Sequence, residues 1–440
     1  MGFKLAAYWC MTVSPMDEAT LHEIGKTFSK WFVRFGLDYD KFSAERWAIY
    51  RAHPSVTLDE YRCRLLHRFG QIVSGKLLVY LDLKYWINLR DVAFGHRIDH
   101  AYCRLFDLLI NEASRGRIVC PLSYWIFAEL LKQADARTRK ATAELIDKLS
   151  TSVAFMSHGE IVRQEILHFI RKVSAHYKHT RKWPIRECIW TRTLSFLGDR
   201  IPVWPDTIPQ SDQLLVQKSW EDFSFFMPLT ELIQSNAINR SDVIPNWYDV
   251  AGINRRKQQV RKQHSSFKRM FLAELMHTVK ENEEHWYETM AYLYFLESGK
   301  EETIDAEAVP HDERRLARNL ISYAFKKNKI SNELPSYHIL AALYAAICWN
   351  NTKQLTENDV LDFYHAQLAI PYCVFLTDSP LKSLTCSRLL RFDKIYHTEI
   401  IANAEEARVR LTDRVRSNPP QSIAPIAQEL FRGDTYGLSK

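Results

Sequence analysis

Two apolar runs, each closing on an aspartate, constrain this chain most. Leu77-Leu-Val-Tyr-Leu81 leads without a polar residue into Asp82, and Tyr372-Cys-Val-Phe-Leu-Thr377 leads into Asp378. A strand covered on both faces reads as a continuous hydrophobic run, whereas a half-exposed strand alternates. Both runs therefore read as buried parallel strands. Arg117-Ile-Val-Cys-Pro-Leu122 reads as another short strand, and Lys394-Ile-Tyr-His-Thr398 is a candidate for a final one. Helical patterns over Tyr85–Val92 and Ile98–Ala113 follow the first run. Gly116 breaks the second helix, and Ser123 is a suitable N-cap for a helix over Tyr124–Lys132. Strand, helix, strand, helix is the order of an open α/β sheet.

The rest of the chain is helical in pattern. Glu60-Tyr-Arg-Cys-Arg-Leu-Leu-His-Arg-Phe69 repeats apolar residues at intervals of three and four, with a loop at Ala52-His-Pro54 before it. From about residue 135 to 335 the strand signal nearly vanishes, and helices alternate with turn clusters such as Trp183-Pro184, Pro202-Val-Trp-Pro205 and Ile208-Pro209. The α/β order resumes where Asn358-Asp359 opens a helix through Ala369. Thirteen glycines supply few left-handed turns, which weighs against an all-β sandwich. The predicted organisation is a helical cap (1–74), a first half of an α/β core (75–160), a mainly helical insertion (161–335), the second half of the core (336–400) and a helical tail (401–440).

A formal charge of +7 is compatible with a polyanionic partner. The eight cysteines (10, 63, 103, 120, 188, 348, 373 and 386) include no C-x-x-C pair, and several lie in apolar runs. They read as buried free thiols in a reducing compartment, not as disulfides or zinc ligands. The apolar stretch Leu5–Met11 is shorter than a signal-peptide core, and Ile339–Trp349 is too short to span a bilayer. A cytoplasmic protein with no membrane partner is the expectation.

Reacting groups in an open parallel sheet gather at the carboxyl ends of its strands. Asp82 and Asp378 stand there, Glu129 lies in the helix after the second strand, and Asp362 lies at the start of the helix before the Asp378 strand. Two carboxylates about 5 Å apart repel by roughly 3 kcal/mol at an effective dielectric of about 20, so a cluster recruits a cation or raises its own pKa values. Hard oxygen donors favour magnesium or manganese. Each acid also has a simpler reading: Asp82, Asp359 and Asp378 as helix caps, Glu129 as a solvated helix residue.

These residues resemble the motifs of PIN-like domain nucleases. Val79-Tyr-Leu-Asp-Leu-Lys-Tyr-Trp-Ile-Asn-Leu89 is similar to the family's opening strand, aspartate and short helix. Pro121-Leu-Ser-Tyr-Trp-Ile-Phe-Ala-Glu-Leu130, Asp359-Val-Leu-Asp-Phe-Tyr-His-Ala366 and Phe375-Leu-Thr-Asp-Ser-Pro-Leu381 resemble its second, third and fourth motifs. The resemblance implies a Rossmann-like PIN core with a parallel sheet, interrupted by the helical insertion. It implies a metal-dependent endoribonuclease in which Asp82, Glu129, Asp362 and Asp378 hold Mg2+ or Mn2+ and a metal-activated water attacks phosphorus. Toxin or defence roles and an inhibitory or activating protein partner belong to the same implication. Lys84 departs from the family, which often has Asn or Ser there. With Asp359 and His365 it is a candidate to support the acids from behind.

Two further readings stay open: a nuclease for DNA or structured nucleic acid, and an inactive PIN-like scaffold that binds nucleic acid without cutting it. The acid-free stretch 255–269 offers Arg255, Arg256, Lys257, Arg261, Lys262, Lys268 and Arg269 to phosphates, or is a solvated basic helix. A second basic segment, His168–Lys182, has no histidine spacing that suits zinc. His158-Gly-Glu160 and Glu165 read as a helix start and a surface residue. Tyr85-Trp86 and Tyr124-Trp125 read as core aromatics before base-stacking ones.

Overall fold

The computed structural model describes residues 18–96, 99–174, 183–197, 210–234, 250–298, 311–326, 330–350, 352–417 and 426–432. The chain divides into two compact units, Met1–Met156 with Arg186–Pro245 and Asn403–Lys440, and Ser157–Ile185 with Asn246–Ala402. Helix dominates both, and each contains one parallel strand pair.

The first unit begins with α1 (Glu18–Val33), α2 (Tyr39–Ala52) and α3 (Leu58–Ser74), the last covering the apolar repeat around Glu60–Phe69. Asp38 and Thr57 cap α2 and α3 by accepting from the amides of Lys41 and Glu60. Then come β1 (Leu77–Leu81), α4 (Leu83–Ala93), α5 (His100–Ser114), β2 (Ile118–Val119), α6 (Tyr124–Lys132), α7 (Ala136–Ser150) and β3 (Val153–Phe155). β1 and β2 are parallel, with Leu77 opposite Ile118 and Leu78 opposite Val119. Gly116, at φ 65°, supplies the left-handed turn between α5 and β2. Beyond β2, Leu122 bridges Ala154 of β3 in parallel.

The chain enters the second unit with α8 (His158–Val173) and returns to the first for β4 (Trp190–Arg192), α9 (Gln210–Phe223) and α10 (Leu229–Gln234). β4 runs antiparallel to β3, so the region expected to be nearly strand-free holds two short strands. Each has three residues, too few for a period to register. An aromatic cluster of Phe28, Phe32, Phe42, Phe223, Phe226 and Phe431 packs α1, α2 and α9 together. Beside it lies a buried polar joint. Asp222 accepts hydrogen bonds from Arg46 Nε at 2.7 Å, Tyr61 Oη at 2.6 Å and the Tyr50 hydroxyl. Glu221 pairs with Arg62 at 2.6 Å and Arg192 at 2.7 Å.

The second unit continues through α11 (Val250–Gln263), α12 (Phe267–Glu281), α13 (Glu283–Ser298), α14 (His311–Lys326), α15 (Pro335–Trp349), α16 (Glu357–Ala369), β5 (Val374–Leu376), α17 (Ser379–Thr385) and β6 (Ile400–Ile401). The chain closes in the first unit with α18 (Ala404–Ser417) and a short helix, Ile426–Leu430. The second unit's core joins Val162, Ile166, Phe169 and Ile170 of α8 to Trp286, Met290, Leu320, Tyr337 and Ala341. β5 and β6 are parallel, Phe375 opposite Ile400 and Leu376 opposite Ile401. The final strand therefore lies beyond Lys394–Thr398. That segment is part helix, Phe392–Ile395, and His397 takes a left-handed φ of 51°, which a continuous strand does not allow.

Each of the two units has its own core. The 1–74 helices and residues 75–156 share one unit, and the segment 161–335 is divided between both. Among the described residues no helix is long and apolar enough to cross a membrane. Among the described residues seven cysteines are in no disulfide; Cys120, Cys348 and Cys373 are buried, Cys63 is exposed, and Cys103, Cys188 and Cys386 are half-buried. Cys10 and the stretch Leu5–Met11 lie outside the described residues.

Candidate active site

In the first unit, Asp82 follows β1 and is the N-cap of α4. Its Oδ1 accepts the Tyr85 amide at 3.1 Å, and the side chain is buried. Glu129 sits half-buried on α6, a helix started by Ser123, which caps it by accepting the Ile126 amide at 3.3 Å. The Ser123 hydroxyl also shares a 2.6 Å hydrogen bond with Tyr80 Oη. The strand that delivers Asp82 is thereby tied to the start of the helix that carries Glu129. Tyr85, Trp86 and Trp125 are buried in the core, while Lys84 is exposed on the first turn of α4.

In the second unit, Asp378 repeats the geometry of Asp82. It follows β5 and caps α17, its Oδ1 accepting the Leu381 amide at 2.8 Å, and Thr377 donates its amide to Ile401 of β6 at 2.9 Å. Asp362 is half-buried in the second turn of α16, not at its start, between the buried Leu361 and Phe363. Asp359 is not the N-cap. Thr356 is, and Asp359 completes a capping box with it. Asp359 also pairs with Lys353 at 2.6 Å. Although burial opposes it, these partners hold its carboxyl below the usual range. These contacts tie Asp359 to the first turn of α16. His365 is buried in α16.

The expected metal donors are therefore held two in each unit. Among the described residues, no three His, Cys, Asp or Glu side chains stand close enough together to hold a metal ion. Asp82 and Asp378 each also give an oxygen to a helix cap. Carboxylate oxygens are nonetheless the donors that magnesium and manganese take.

The basic stretch is likewise rearranged. It is broken between α11 and α12, where Ser266 caps α12. Lys257 is buried and donates to the Lys353 carbonyl. Arg261 stacks on Trp349 at 3.4 Å from the ring centroid and donates to that residue's carbonyl at 3.3 Å. These two cations hold the fold and leave the surface to Arg255, Lys262, Lys268 and Arg269, all exposed. The side chain of Arg256 and residues 175–182, including His176, Lys178, His179, Arg181 and Lys182, lie outside the described residues.

One group is the reverse of its sequence reading. Glu165 is fully buried. It accepts the Ser336 amide at 3.0 Å, the Ser336 hydroxyl at 2.7 Å and the Tyr372 hydroxyl at 3.0 Å. Burial pushes its carboxyl up to about 7 against the pull of these donors. The signal was present: Ile161, Glu165 and Phe169 are spaced four apart, which puts the acid on the stripe that α8 buries. Burial lowers His158 and His338 to about 4. His338 shares a 2.7 Å hydrogen bond with Tyr396 Oη. No protein-family model, no curated protein and no solved structure matches this chain.

Proposed function

We infer that the chain is a nuclease of the PIN-like kind acting on RNA, with Asp82, Glu129, Asp362 and Asp378 as its working acids. The observation that supports this reading is a repeated local geometry. In each unit a parallel strand ends on an aspartate that caps the following helix. Strand ends of that kind are where open α/β proteins present reacting groups. The exposed cations Lys262, Lys268 and Arg269 supply a surface for phosphates.

A second reading is a nucleic-acid-binding protein of the same kind that does not cut. The exposed cations Arg255, Lys262, Lys268 and Arg269 serve binding without cutting equally well. One experiment separates the two: labelled single-stranded RNA and DNA incubated with the protein and manganese, magnesium or EDTA, beside Asp82→Asn/Asp378→Asn. Asparagine caps a helix as aspartate does, so this variant removes charge and keeps both caps. Metal-dependent cutting of RNA, lost in the variant, is the expected result. Cutting of DNA alone would change the substrate. Binding without cutting, equal in both proteins, would overturn the nuclease reading in favour of the second.

A further inference from the structure

The Glu165 network occupies a particular place in the second unit. Glu165 stands on α8, and Ser336 is in the first turn of α15. Ser336 is the hub: its amide and hydroxyl donate to Glu165, and its carbonyl accepts Gln367 Nε2 at 3.0 Å. Gln367 belongs to α16, the helix that carries Asp362. Tyr372, the other donor to Glu165, lies just before β5, the strand that delivers Asp378. Both routes from this one carboxyl lead to an element bearing a proposed working acid.

We propose that Glu165 is a positioning residue, tying α16 and β5 to α8 and so fixing where Asp362 and Asp378 stand. The assignment of those two acids rests on the nuclease reading above; the tie itself does not. A carboxyl is suited to the task because two oxygens receive three donors from two separate segments. Among the described residues Glu165 makes no ion pair, so its donors alone oppose the cost of burying charge.

The groups around it define what ionisation would do. From α15 come Ser336 and Tyr337, and from the segments flanking β5 and β6 come Tyr372 and Tyr396; the tyrosine hydroxyls of 337 and 396 both feel its charge. His338 faces Tyr396 and is held neutral by burial. Trp286 and Met290 of α13 share the core beside α8, and Glu333 of the short helix before α15 is paired with Lys172. Among the described residues no cation pairs with Glu165, so its ionised form carries the cost of burial, which opening the tie relieves.

The test compares the full-length wild type with Glu165→Gln and Glu165→Ala. Amide hydrogen exchange is read at about pH 6 and about pH 8 after correction for intrinsic rates, together with manganese-dependent RNA cleavage. Glu165→Ala is expected to speed exchange in α16 and β5 by about tenfold or more, with α12 unchanged, because it orphans buried donors. Glutamine, which keeps an acceptor, restores protection. In the cleavage assay alanine lowers kcat with KM little changed, and glutamine recovers it. Faster exchange confined to α8 and α15, or equal throughout the unit including α12, would overturn the proposal. Should Glu165→Ala fail to fold, the wild type must loosen at α16 and β5 between the lower and higher pH while Glu165→Gln stays flat; identical behaviour overturns it. A wild type that cuts no RNA removes the nuclease reading alone, since the exchange data still decide the tie.

Discussion

Replacing Asp222 by alanine tests whether the first unit depends on compensated buried charge. Its carboxylate is fully buried, and Arg46, its partner at 2.7 Å, is 2% exposed. Tyr61 and Tyr50 donate to the same carboxylate. Alanine would remove this acceptor from a guanidinium and two hydroxyls in the core. Breaking a buried pair from one side costs about 3–5 kcal/mol, because the remaining charge is desolvated and unmatched. We expect a loss of about 4 kcal/mol, seen as a fall in Tm of about 10 °C for a unit of this size. Urea unfolding at neutral pH, followed by the fluorescence of Trp220 on α9 and its neighbours, reads the loss. The double variant Arg46→Met/Asp222→Leu removes both charges and fills the space, so it should recover most of the stability. If the single variant loses less than about 1 kcal/mol, the site is already solvated and the reasoning fails. If the double variant is as unstable as the single, uncompensated charge is not the cause.

Other outcomes follow from the same contacts. Glu165, raised from its ordinary 4.5 to about 7, contributes stability that is fully present below pH 4.5 and lost as pH rises through about 7. The stability of wild type relative to Glu165→Gln should therefore fall by about 3 kcal/mol between acid and mildly alkaline pH, measured by urea titration at each pH; a constant difference would refute it. His158 and His338 act in the opposite sense: lowered from 6.5 to about 4, they contribute stability present above pH 6.5 and lost as pH falls through about 4, which substitution by Phe should abolish. Asp82→Ala and Asp378→Ala should each cost about 1 kcal/mol of stability and the Asn variants much less, because only alanine removes the cap. Changing Lys262, Lys268 and Arg269 together to Glu should reduce the salt dependence of single-stranded RNA binding by a slope of about 2; an unchanged slope means these cations touch no phosphate.

What could be read from sequence divides by the range of the interaction that decides it. β1, β5, α6 and the Ser123 cap are set by neighbours a few residues away, and the apolar runs before Asp82 and Asp378 made both strands legible. β3, β4 and β6 span only two or three residues each, and their pairing partners decide them. The same division governs the charges. Asp359 finds its cap three residues away at Thr356, but Lys257 and Arg261 are taken from the surface by Lys353 and Trp349, which composition alone does not reveal. Glu165 carries the sharpest form of the lesson. Its spacing on α8 points inward and its charge points outward. The core resolves the conflict by supplying an amide and two hydroxyls instead of a counterion, while burial still pushes the carboxyl up to about 7. Where helical period and residue polarity disagree, period states the geometry, and polarity states which partners the geometry must then provide.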